Sequence, residues 1–77
     1  MPLLIRLATC KIEIRSRDHH PAHVHVLLND GREALVELAS GKVKTRQPIR
    51  EAELAEATAW IAPRADALIA QFKELNK

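Results

Sequence analysis

The chain has 77 residues, 12 lysines and arginines against 10 acidic residues for a formal charge of +2, and a single cysteine, Cys10. That length suits one small domain, the lone thiol excludes an intrachain disulfide or a CxxC thiolate site, and the interspersed charges permit nucleic-acid contact without arguing for it. No run of about 18 apolar residues is present to span a membrane, and Met1-Pro2-Leu3-Leu4-Ile5-Arg6 lacks the parts of a secretory signal, so a soluble cytoplasmic protein is expected.

In chain order, Leu3, Ile5 and Leu7 alternate around Arg6, and Cys10, Ile12 and Ile14 alternate with Lys11, Glu13 and Arg15. Period-two patterning with one charged face predicts strand over residues 3–15. Ala8-Thr9 is poor turn chemistry, so one bulged strand and a loose hairpin both fit. Strands over 23–28 and 32–39 follow, joined by Asn29-Asp30-Gly31, a three-residue hairpin loop with glycine at the left-handed position. This loop pairs Leu28 with Arg32, Val26 with Ala34, Val24 with Val36 and Ala22 with Leu38 as one apolar face. The other face then carries Leu27 with Glu33, His25 with Leu35 and His23 with Glu37. A two-residue loop would set Val24 against Glu37 and mix the faces, which a half-buried sheet resists.

Ser40-Gly41 makes the next turn, and residues 42–45 can add a short edge strand whose lysines discourage edge-to-edge pairing. Lys42, Lys44, Arg46 and Arg50 form the most basic local stretch. Trp60 and Phe72, the two aromatic residues, sit in a helical pattern and offer no base-stacking platform, so a solvated loop is favoured for this stretch over a phosphate-binding strip. From residue 50 to 76, Leu54, Ala57, Ile61, Ala65, Leu68, Phe72 and Leu75 recur at helical spacing. Pro63 predicts a kink or break near Ala62, with the stripe in phase on both sides. The expected fold class is α+β: a single domain over 1–77 with a small antiparallel sheet of three to four strands, packed by a C-terminal bent helix or two short helices.

All four histidines fall in Asp18-His19-His20-Pro21-Ala22-His23-Val24-His25. On a strand, His23 and His25 share a face with β-carbons roughly 7 Å apart, close enough to act on one metal or on one reacting group. Pro21 restricts His20 to extended geometry. Three readings stay open. His19, His23 and His25 with Asp18 could bind zinc, with Glu37 as an orienting carboxylate. His23 and His25, with Glu37 fixing a tautomer, could serve as catalytic acid and base on a phosphodiester such as RNA. Alternatively, the imidazoles cover a sheet face and support a protein interface. The small core favours burial against another subunit, so a homo-oligomer is expected.

The pattern Asp18-His19-x-Pro21-x-His23-x-His25 resembles the signature of a small bacterial family, domain of unknown function 4160, usually written D-H-x-P-P-H-x-H. Glu33-Ala34 followed by Glu37, the turn Ser40-Gly41-Lys42-Val43, and Ala59-Trp60-Ile61 extend the likeness over nearly the whole chain. It departs at Ala22, where a second proline is usual, and at Ala62-Pro63-Arg64, where an unbroken charged helix is usual. The resemblance implies that Asp18, His19, Pro21, His23 and His25 are the motif residues and that His20 matches no motif position. It also implies a gene that neighbours another small gene, hence an interaction component of a two-gene, toxin–antitoxin-like module with a small protein partner.

Overall fold

The computed structural model describes residues 3–15, 21–45 and 47–76. Five strands follow one another and pair in chain order: β1 (Leu3–Arg6), β2 (Cys10–Glu13), β3 (His23–Leu28), β4 (Glu33–Glu37) and β5 (Val43–Thr45), every pair antiparallel. The sheet therefore has five strands, where three to four were expected, because the segment over 3–15 folds back as two. Ala8-Thr9 has no turn preference of its own and is closed by other elements. The Leu7 amide donates to the Cys10 carbonyl at 2.7 Å, and Asn29 from the next hairpin donates through Nδ2 to the Ala8 carbonyl and through its backbone to Thr9. Glu56, from the first helix, accepts both the backbone amide and the hydroxyl of Thr9, at 3.0 and 2.8 Å.

The hairpin β3–β4 has the register that its loop predicts: His23 opposite Glu37, Val24 opposite Val36, His25 opposite Leu35 and Val26 opposite Ala34. The Leu28 amide donates the closing backbone bond to the Arg32 carbonyl at 2.8 Å, and Gly31 takes a φ of +97°, a conformation that only glycine adopts without strain. Regular pairing in β4 ends at Glu37 rather than 39, since Ser40-Gly41 turns the chain and Gly41 donates to the Glu37 carbonyl.

The helices α1 (Glu51–Ile61) and α2 (Ala65–Leu75) are separated by one 3₁₀ turn over Ala62–Arg64. Pro63 has no N–H for the carbonyl of Ala59, four residues back, so the α ladder breaks there. Arg64 adapts to the break: its Nη1 donates to the Trp60 carbonyl at 2.9 Å and its guanidinium lies 4.5 Å over the Trp60 ring. Leu54, Ala57, Ile61, Leu68 and Phe72 from the helical stripe are buried in one cluster with Cys10, Ile12, Ile14, Val24, Val26, Leu28, Ala34, Val36 and Leu38. Leu75, the last residue of the stripe, is exposed.

A polar junction ties α1 to the sheet. Arg32 donates in a fork to both oxygens of Glu53, at 2.6 and 3.1 Å, and also reaches Asp30 and the Pro48 carbonyl. Glu53 in turn accepts from the Arg50 amide at the start of α1, at 2.9 Å. Bonding to Arg32 holds the carboxyls of Glu53 and Asp30 below their ordinary ranges.

Candidate functional site

Alternation along β2, β3 and β4 sorts the sheet into two faces. One is the apolar core described above. The other carries Lys11 and Glu13 from β2, His23, His25 and Leu27 from β3, and Glu33, Leu35 and Glu37 from β4. Three of these polar residues are buried: Glu13 at 5% exposure, His23 at 2% and His25 at 8%. Period-two patterning predicted the shared face; it did not predict that the histidines would be covered.

Each described imidazole commits its Nδ1 to the fold. Nδ1–H of His23 donates to the Pro21 carbonyl at 2.8 Å, and Nδ1–H of His25 donates to Glu33 Oε2 at 2.9 Å. A carbonyl or carboxylate oxygen only accepts, so both bonds place a proton on Nδ1, and in the neutral ring the lone pair then falls on Nε2. The two rings pack edge to face with centroids 5.1 Å apart, and His23 also lies 5.4 Å from the ring of Phe72.

A chain of charges continues from this pair. Arg15 Nη2 lies 3.1 Å from Glu13 and 3.7 Å from Glu33, and Lys11 Nζ lies 3.7 Å from Glu13. The buried Glu13 carboxylate is thus flanked by two cations, which offsets its desolvation. Glu33, Arg15 and Glu13 were not among the site residues expected from the sequence. The signal was available, because Glu33 sits two residues from Leu35, the partner of His25, and diagonal neighbours on one face reach each other through long side chains.

Glu37 is placed differently from expectation. It lies opposite His23 in the ladder, as predicted, but its carboxylate accepts from Lys44 Nζ at 3.1 Å and from Ser40 Oγ at 3.0 Å. The Lys44 bond, with help from Ser40, holds the Glu37 carboxyl below its ordinary range. Among the described residues, the carboxylate that orients an imidazole is Glu33, and its ring is His25 rather than His23. Asp18, His19 and His20 lie outside the described residues. No group of three or more metal-binding side chains occurs among the residues that are described, and of the expected zinc ligands only His23 and His25 lie among them. Cys10 is 1% exposed, and burial pushes its thiol pKa up, which makes it a core side chain rather than a nucleophile.

The model of the family described as Domain of unknown function (DUF4160) matches residues 10–73. The chain belongs to that family. Within this DUF4160 protein the match runs from the first residue of β2 into α2, taking in β2–β5, both described histidines and Glu33. No curated protein and no solved structure matches the chain. No helix among the described residues is long and apolar enough to cross a membrane.

Proposed function

We propose that this DUF4160 protein is the interaction component of a two-protein, toxin–antitoxin-like module that binds a small protein partner encoded beside it. In this reading the histidine face is a rigid internal support for the sheet. The observation that carries the reading is burial: His23 and His25 are 2% and 8% exposed, each with Nδ1 engaged inside the fold. A catalytic imidazole must come within hydrogen-bond reach of its substrate, and a covered, tethered ring does so only after rearrangement. Polar groups fully bonded within a small fold specify one packing arrangement, which suits a recognition scaffold. Light scattering and co-purification with the neighbouring gene product test this. Retention of the partner at micromolar concentration is expected. A strictly monomeric protein that retains no partner would overturn the reading.

Acid–base cleavage of RNA is the second reading, and one observation favours it. Glu33 orients His25 through Nδ1, the arrangement by which a carboxylate prepares an imidazole as a general base. It predicts a bell-shaped pH–rate profile and growth arrest on overexpression, relieved by His25→Ala. Harmless overexpression together with intact RNA after incubation with the purified protein would dismiss it.

A further inference from the structure

We propose that the outer edge of β5 is a docking site for an extended strand of a partner protein, one that alternates acidic with apolar side chains. The proposal rests on the interaction reading above and specifies the chemistry of the partner. In the sheet order, β1 and β5 are the two edges. They are not equivalent. β1 carries a register shift between Leu3 and Ile5, and such a bulge twists an edge away from further pairing. β5 pairs with β4 without a shift, Val43 opposite Val36, Lys44 opposite Leu35 and Thr45 opposite Ala34, and all three of its residues are exposed.

The register also states which backbone groups point outward. The Glu37 amide donates to the Lys42 carbonyl at 2.9 Å, so these two residues form a hydrogen-bonded pair. Antiparallel pairs alternate between bonded and non-bonded. Lys44 therefore directs its N–H and C=O toward β4, while Val43 and Thr45 direct theirs to the edge that no other strand among the described residues covers. A sixth strand would find two donors and two acceptors at strand spacing.

The side chains define what that strand must carry. Val43 and Thr45 lie on the helix side of the sheet, level with Val36 and Ala34. Val43 is 41% exposed, and its partner Val36 lines a cavity of about 270 Å³ together with Leu38, Thr58, Ile61 and Ala65. An apolar side chain arriving there would cover Val43. On the opposite face lie Lys44 and, by alternation, Lys42. Lys44 is 65% exposed at its side chain and shared with Glu37, whereas Lys42 has no ion-pair partner among the described residues. Acidic side chains on the incoming strand complement both lysines. A second copy of this edge does not, because antiparallel self-pairing sets lysine against lysine, and like charges opposed across a ladder are destabilising.

The test titrates ¹⁵N-labelled full chain with a soluble peptide alternating glutamate and valine, and with its lysine–valine counterpart. The glutamate peptide is expected to bind saturably, to slow amide exchange at Val43 and Thr45, and to bind at least tenfold more tightly than the lysine peptide. Val43→Pro removes an outward N–H and no ladder bond, and should weaken binding about tenfold, roughly one net hydrogen bond. Should that variant lose its native spectrum, Lys42→Glu serves instead, weakening the glutamate peptide and strengthening the lysine peptide. Equal binding of the two peptides, protection elsewhere than β5, or no binding would overturn the proposal. Full retention of the neighbouring gene product by a folded Val43→Pro protein would also overturn it while leaving the interaction reading intact; loss of the partner from the unaltered protein is the result that defeats that reading instead.

Discussion

Truncating Phe72 to alanine tests the claim that the buried His23 ring packs against the interior through Phe72. Phe72 is fully buried, ends the internal stripe of α2, and holds its ring 5.4 Å from that of His23 at an interplanar angle of 51°. Removing a fully buried phenylalanine ring costs about 3–5 kcal/mol, part lost transfer energy and part residual cavity. A chain of 77 residues has a net stability of about 4–12 kcal/mol at typical values per residue. The variant should therefore lose a large share of its stability. Urea denaturation followed by circular dichroism should show a lower midpoint with an unchanged slope. Combining Phe72→Ala with His23→Ala closes a double-mutant cycle, in which a coupling of about 0.5–1.5 kcal/mol is expected for two rings in tilted contact. A loss under about 1 kcal/mol for Phe72→Ala, or zero coupling, would refute the argument that His23 is part of the packed interior.

Acid should destabilise the fold through the carboxylates that tie α1 to the sheet, β4 to β5 and Arg32 to its loop. Glu53, Glu56, Glu37 and Asp30 are all held below their ordinary values by bonds to Arg32, Thr9, Lys44 and Arg32 respectively. A lowered carboxyl contributes its full stability above its unfolded value, 4.5 for the three glutamates and 3.8 for Asp30, and loses it as pH falls through the folded one. The melting temperature should thus fall as pH drops below about 4.5, and Glu53→Gln with Glu56→Gln should flatten the decline; an equal melting temperature at pH 7 and pH 3 would count against it. Gly31→Ala should destabilise by about 1–2 kcal/mol, although no atom lies within 4 Å of the added carbon, because the penalty comes from φ at +97°. Gly31→Asn should cost less, and a thermal melt of both variants checks the order. Long-range ¹H–¹⁵N correlation spectra should find the neutral forms of His23 and His25 protonated at Nδ1, and Glu33→Gln should perturb His25 alone; a neutral His25 protonated at Nε2 would contradict its bond to Glu33.

Several parts of this protein follow from local rules and were legible in the sequence. Asn29-Asp30-Gly31 sets the β3–β4 register because a glycine loop of that length closes on Leu28 and Arg32, and any slip would turn Val24 and Val26 away from the core. The same register places His23 and His25 on one face. Pro63 breaks the helix for want of an N–H, and the stripe stays in phase because one 3₁₀ turn rejoins α1 to α2. Membership of the DUF4160 family was visible as a motif resemblance and is shown by the match over residues 10–73. The tertiary structure decided the rest. Ala8-Thr9 becomes a turn because Asn29 and Glu56, 21 and 47 residues away, satisfy its backbone and hydroxyl groups. Glu37 goes to Lys44 and Ser40 while Glu33 takes His25, a choice between acceptors on one face that β5 settles by bringing an ammonium to Glu37. Patterning assigns a side chain to a face, but its bonding partner there is set by competition among all the groups that folding brings within reach, and most of those are distant in sequence.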